Sequence, residues 1–392
     1  MITMNMTQRG IATLLRSAIT GEKLPLPEGF DLAEAMGAVD AHHIHTLVFE
    51  GAARCGLDKK SESMQRLFQI YLRNLAKSEG QLRQLKRIFT AFDEAGIEYM
   101  PLKGSRMKYR YPKPELRAMG DADILIRREQ YEQITPIMEG LGFRFSHESD
   151  HELIWLHPQL MVELHKWVIP SYNEDFYAYF GDGWRLATVK DGTRYAMKPE
   201  DEWIYFLTHF AKHFRDGGIG CRHVVDLWVF LRNNPGLDEA YISGELEKLR
   251  LGEFDRNIRA MIGAWFGEDA GDDRTELMTD YIFASGSWGE EDSKLLSREV
   301  KRSKHALPGM EGKAVYLWQQ LFLKREYMER DYPVLKKYPW LLPAMWAYRP
   351  VKRLIIDGHK LDLHKKNLEV ISKESVRSRE QMLRFVGLDY WF

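Results

Sequence analysis

The sequence predicts an α+β protein: a small mixed β-sheet core flanked by helical regions on its N-terminal and C-terminal sides. Three observations carry that expectation. Apolar residues recur at helical spacing through 1–95. Short β-patterned runs and turn signals then occupy roughly 97–190, and helical spacing returns from Pro199 onward. The expected division is 1–95 for the first helical region, 96–195 for the α/β core and 196–392 for the second helical region.

Each element has a local reason. "DLAEAMGAVDAHHIHTLVFEGAARCGL" (31–57) and "SESMQRLFQIYLRNLAKSEGQLRQLKRIFTAFDEAG" (61–96) read as helical. In the second, Leu82, Leu85, Phe89 and Phe92 form one stripe, and Gly96 is placed to end it. "IEYMPLKG" reads as a short strand entering a turn, and "DADILI" as a second strand. Tyr131, Ile134, Ile137, Met138 and Leu141 mark one face of the helix that follows. "HELIWLH" (151–157) and "LMVELHKWV" (160–168) read as two strands joined at Pro158-Gln159. Pro199 followed by Glu200, Asp201 and Glu202 is a helix start. No repeat of 20–50 residues and no low-complexity tract interrupts this pattern.

Composition excludes some classes. Lys and Arg number 56 against 57 Asp and Glu, so no global charge recruits nucleic acid, although a local basic face is compatible with that total. Cys55 and Cys221 supply neither a disulfide framework nor a CxxC motif, which argues for a reducing compartment and against structural zinc. The N-terminal stretch lacks a continuous apolar segment and a small-residue cleavage site. No run approaches the roughly 20 apolar residues of a membrane span. The expectation is a soluble cytoplasmic protein.

The chemistry concentrates in "LKGSRMKYRYPKPELRAMGDADILI" (102–126). Strand side chains two positions apart share a face, so Asp121 and Asp123 project together, about 7 Å apart along the backbone. Two such carboxylates repel unless a cation lies between them, and Mg²⁺ favours oxygen ligands of this kind. Glu163, between Val162 and Leu164, offers a third carboxylate, with His165 on the same face. Gly104-Ser105 opens a helix, where free N–H groups, a small residue and a hydroxyl suit phosphate. Lys103 and Arg117 add positive charge for a triphosphate.

This ordered set resembles the nucleotidyltransferase superfamily that shares the DNA polymerase β catalytic fold. More closely, it resembles its bacterial branch of uncharacterised nucleotidyltransferases (NTP_transf_5-like). The matching residues are "LKG" at 102–104, "YP" at 111–112, Arg117, "GDADILI" at 120–126, "GF" at 142–143 and "ELH" at 163–165. Two departures accompany them: a 15-residue spacer from Ser105 to Asp121, and Glu163 where the branch often has Asp. The resemblance implies a polymerase β-like core and transfer of a nucleoside monophosphate from an NTP such as ATP to a hydroxyl-bearing acceptor, with release of pyrophosphate. It implies two Mg²⁺ ions, or Mn²⁺ in their place, held by Asp121, Asp123 and Glu163. His165 would be a general base, an acceptor contact or a structural histidine. Lys103, Gly104, Ser105, Arg117, Arg222 and Asp226 would line the nucleotide site. The acceptor class, small molecule, protein or RNA, and the oligomeric state stay open.

Other histidines and aromatics invite competing readings. His209 and His213 lie one helical turn apart, a metal-like spacing without an acidic partner, and packing is the favoured reading. Arg222 and Asp226, also a turn apart, suit an ion pair. The histidines of "DAHHIHTL" (40–47) suit the edge of a core, and the aromatic stretches at 338–355 and 382–392 suit intramolecular packing. Two alternative functions stand beside the transferase: a catalytically inactive nucleotide-binding regulator and a toxin-like RNA-modifying nucleotidyltransferase.

Overall fold

The computed structural model describes residues 4–267, 269, 271–287, 289–303, 313–323, 325–356 and 369–390. The chain forms two compact units. One comprises Met1–Phe214, Ile219–Trp288 and Val386–Phe392; the other comprises Arg215–Gly218 and Gly289–Phe385.

The first unit opens with four helices: α1 (Met6–Thr20), α2 (Leu32–His42), α3 (His45–Cys55) and α4 (Glu62–Glu94). The helical stretch expected over 31–57 is two helices, because His43 adopts a left-handed conformation at φ 51° and caps the first. Close packing of α1 on α3 depends on Gly51, since a Cβ there would stand 2.0 Å from the Leu14 carbonyl oxygen. Ser61 caps α4 by accepting from the Met64 N–H at 3.4 Å.

Seven strands then form one mixed sheet: β1 (Tyr99–Pro101), β2 (Asp121–Ile126), β3 (Arg144–Glu148), β4 (Glu152–His157), β5 (Leu160–His165), β6 (Ala187–Asp191) and β7 (Arg194–Met197). Their order is β3-β4-β5-β2-β1-β7-β6. β2 runs parallel to β5 and antiparallel to β1, and β4 is antiparallel to β5. Strands β1, β2, β4 and β5 fall within the runs expected to be strands, although β5 stops at His165, three residues short of the expected 160–168. The two edge strands do not announce themselves: β3 is exposed at all five positions, and β6 is exposed after its first residue.

Alternation sorts the central strands into two faces. Ala122, Ile124, Ile126, Val162 and Leu164 turn toward Leu85, Ile88, Phe89 and Phe92 of α4. Ile134 and Met138 of α6 (Tyr131–Gly140), which follows α5 (Lys103–Met107), complete this core. Asp121, Asp123, Glu163 and His165 are thereby sent to the opposite face. After α7 (Glu174–Phe180), the helices α8 (Pro199–Asp216) and α9 (Cys221–Asn233) bring further polar residues toward that face, and α10 (Glu239–Lys248), α11 (Gly252–Phe266) and α12 (Asp273–Ser285) follow.

The second unit is helical: α13 (Glu291–Ser303), α14 (Lys313–Leu321), α15 (Arg325–Asp331), α16 (Val334–Lys337), α17 (Leu342–Ile356) and α18 (Lys373–Phe385). The buried Arg379 of α18 donates from Nε to Ser297 Oγ of α13 at 3.0 Å. Of the aromatic stretch at 338–355, Trp346 packs edge-on against Phe322, whereas Trp340 is 74% exposed. Trp391 and Phe392 lie outside the described residues. Among the described residues no helix is long and apolar enough to cross a membrane.

Candidate active site

The parallel register of β2 and β5 places Asp123 opposite Glu163, Asp121 opposite Met161 and Leu125 opposite His165. Asp123, Glu163 and His165 each bring one ligand atom within 4.8 Å of the other two. His165 donates from Nε2 to Asp123 Oδ1 at 2.9 Å, and the same nitrogen lies 3.6 Å from Glu163 Oε2. The converging trio therefore contains the histidine. Asp121, half-buried at the start of β2, stands outside that trio but within the field of both carboxylates.

Electrostatics separates the two aspartates. Burial, then the neighbouring charges of Asp123 and Glu163, pushes the Asp121 carboxyl up to about 6. Burial alone would push Asp123 up as well. The Lys103 ammonium and the His165 hydrogen bond outweigh it and hold Asp123 well below the usual carboxylate range. Lys103 donates from Nζ to Asp123 Oδ1 at 3.0 Å. Its own pKa is raised, because attraction to Asp123 exceeds the effect of burial. His165 is likewise raised: burial opposes protonation, but the bonds to Asp123 and Glu163 prevail.

The turn that delivers Lys103 is strained. Lys103 has φ 36°, a left-handed conformation that a non-glycine residue holds at a cost of about 1–3 kcal/mol. Backbone contacts hold it there: the Leu102 N–H donates to the Asp123 carbonyl at 2.9 Å. Ser105, only 2% exposed, donates from Oγ to the Leu102 carbonyl at 2.5 Å and lies 3.2 Å from the Asp123 carbonyl. The hydroxyl expected to face a phosphate braces the turn in this structure.

Gly104 has a neighbour that its sequence context did not suggest. A Cβ there would stand 2.6 Å from Arg117 Nη1, so the missing side chain makes room for a guanidinium. Arg117 in turn grips Asp226 of α9 with two bonds, Nε to Oδ1 at 3.0 Å and Nη2 to Oδ2 at 2.9 Å. Tyr111 donates its hydroxyl to the same Oδ1 at 2.7 Å. Asp226 is thus held by Arg117, not by Arg222 one turn away, and the positive charge of Arg117 is balanced within the fold. Despite burial, Arg117 keeps Asp226 below the usual carboxylate range. Lys108 closes the network by donating to the Arg117 carbonyl at 2.9 Å. Burial, then the charge of Arg117, drives the Lys108 pKa down to about 7.

Arg222 donates from Nη1 to the Ala118 carbonyl at 2.8 Å, and its positive field reaches Asp121. Its Nε is buried without a hydrogen-bond partner. His209 and His213 of α8 meet each other, Nε2 to Nε2, at 3.1 Å. Burial, followed by nearby positive charge, pushes both far below the usual imidazole range, so they are neutral. Neither belongs to the two three-ligand groups found among the described residues. In the 40–47 cluster, His42 bridges the Cys221 N–H and the Phe283 carbonyl, 3.2 Å on each side, and His45 bonds Asp40 at 2.8 Å. Those histidines are structural. The roles of Tyr111 and Lys108 had no signal beyond the "YP" dipeptide, because their partners are distant in the chain.

Comparison with known proteins adds the family. No curated protein matches the chain. Among solved structures, the solution structure of the antibiotic-resistance factor ANT(2'')-Ia is similar at 15% identity and a TM-score of 0.32, covering 46% of this chain and 94% of that one. The family described as uncharacterised nucleotidyltransferase matches residues 28–267, a span that contains α2–α4, the sheet, the acidic face and α8–α11. This chain belongs to that family of uncharacterised nucleotidyltransferases.

Proposed function

We propose that the protein is a metal-dependent nucleotidyltransferase that moves a nucleoside monophosphate from an NTP to a hydroxyl-bearing acceptor, releasing pyrophosphate. One observation carries this reading: Asp123 and Glu163 pair across two parallel strands, with Asp121 two residues upstream on the same face and the Lys103–Ser105 turn beside them. The donor set fits a hard divalent ion, because carboxylate oxygens on one face are what Mg²⁺ or Mn²⁺ takes, and Asp123 is already ionised. Asp121, Asp123 and Glu163 would hold the ions. Bound there, divalent ions supply neutralisation of triphosphate charge and a lowered pKa for the acceptor hydroxyl.

The other roles belong to side chains of the chain itself. Lys103 has three N–H donors, of which Asp123 takes one, and the others serve phosphate oxygens. His165, through Nε2–H, fixes the Asp123 carboxylate relative to Glu163. Arg222 adds positive charge on the Asp121 side. Arg117, Asp226 and Tyr111 hold Gly104 and α9 in register and act by positioning. Incubation with each α-labelled NTP, Mg²⁺ or Mn²⁺, and a lysate split into RNA, protein and metabolite fractions tests the reading. Label in one fraction identifies the acceptor class. Tight nucleotide binding with no label in any fraction favours a nucleotide-binding regulator instead.

A further inference from the structure

We propose that His151, Glu152 and His165 form a second cation site, which shares His165 with the acidic face but adds nitrogen ligands, and that takes a borderline transition-metal ion such as Zn²⁺ or Co²⁺. One ligand atom from each residue lies within 4.8 Å of the other two. His151 Nε2 stands 3.0 Å from Glu152 Oε2, and the His151 and His165 ring centroids are 5.7 Å apart. Ligands about 2.0–2.1 Å from a zinc ion lie closer together than 4.8 Å, so modest side-chain rotation closes the set.

The backbone beneath the site is tied by hydrogen bonds. Glu152 pairs with His165 across the antiparallel β4–β5 ladder. The Lys166 N–H donates to the His151 carbonyl at 2.8 Å, and the Ser149 N–H donates to the Glu152 carbonyl at 2.9 Å. His151 itself lies just before β4, in a bend, which frees it from strict strand alternation and lets it share a side with Glu152.

A second observation points to a ligand. The Nδ1 atoms of both His165 and His151 are buried without a hydrogen-bond partner, and His165 is only 2% exposed. Buried polar atoms left in that state are uncommon. In its neutral form, with Nε2–H donated to the Asp123 carboxylate, His165 carries its lone pair at Nδ1. That is the arrangement of a metal-binding imidazole oriented by a carboxylate behind it. Two imidazoles and one carboxylate select a borderline ion over Mg²⁺, and three protein ligands leave a position for water. The site does not depend on whether the protein transfers nucleotides.

Titration of the metal-stripped full-length chain with Co²⁺ under excess Mg²⁺, read by visible absorption, tests it. Wild type is expected to bind one cobalt that Zn²⁺ displaces and Mg²⁺ does not. His151→Ala and the isosteric Glu152→Gln should weaken binding at least about tenfold while melting as wild type does. Asp121→Asn should bind cobalt unchanged even where NMP transfer is lost, which separates this site from the transferase reading. A wild-type chain with no cobalt spectrum, or His151 and Glu152 variants that bind as wild type does, overturns the proposal.

Discussion

Arg117 and Asp226 lie 109 positions apart and meet through two hydrogen bonds of 3.0 and 2.9 Å, which tie α9 to the segment preceding β2. Both are buried, and Tyr111 completes the carboxylate's coordination by hydrogen bonds. A buried pair of this kind adds little net stability compared with apolar packing, but removing one partner strands the other. Its position, against Gly104 and in the segment that leads directly into the acidic strand, makes it a clamp on the site.

Arg117→Ala leaves Asp226 buried with only Tyr111 as a strong donor. Urea unfolding should show a loss of about 3–5 kcal/mol. The double variant Arg117→Ala/Asp226→Ala should recover part of that loss, and purely additive losses would argue against direct coupling.

Gly104→Ala places a Cβ 2.6 Å from Arg117 Nη1 and 3.3 Å from its Cζ. The guanidinium must move, at an expected cost of about 1–3 kcal/mol, and NTP affinity should fall with it. In an Arg117→Ala background the same substitution should be nearly silent. Calorimetric binding of a non-hydrolysable NTP to the four proteins of this cycle measures both effects. Equal penalties in both backgrounds would mean that Gly104 serves something other than room for Arg117.

Asp123→Asn removes the carboxylate on which Lys103 and His165 converge. NMP transfer should fall by roughly 10²–10³ or more, as when a preorganised charge contact is lost. The melting profile should remain cooperative. Pyrophosphate release at the native rate by the folded variant would remove Asp123 from the mechanism.

Lys108 carries a titration that stability measurements can read. Its side chain is 1% exposed, and burial lowers its pKa from 10.5 to about 7. Between those two pH values the unfolded chain binds the proton and the folded chain releases it, so stability rises with pH across that window. Below about pH 7 the penalty for burying the ammonium is fully present. Relative to Lys108→Met, wild type should therefore gain stability, on the order of a few kcal/mol, between pH 7 and pH 10. Parallel urea-unfolding profiles for the two proteins across that range would show that Lys108 stays charged in the fold.

The strand alternation in "DADILI" and "LMVELH" was legible from the residues alone. Ala122, Ile124, Val162 and Leu164 face the core, so their neighbours Asp121, Asp123, Glu163 and His165 must face away from it. The α4 stripe was legible for the same reason, since Leu85, Phe89 and Phe92 follow the helical period onto one buried face. The edge strands β3 and β6 carry no such signal, because neither of their faces is buried enough to impose alternation. The break between α2 and α3 rests on one left-handed histidine, a conformation that propensity does not single out.

What the sequence by itself determined is therefore local: which residues alternate, which stripe is apolar, and which carboxylates share a side. Those properties follow from the geometry of one strand or one helix. Only the tertiary structure decided that Asp123 meets His165 and Lys103, that Arg117 spends its charge on Asp226, and that Gly104 makes room for a guanidinium. Each of these is a contact between separate segments of the chain. Hydrogen bonds and ion pairs of that range depend on distance and direction, which exist only once the chain has closed on itself.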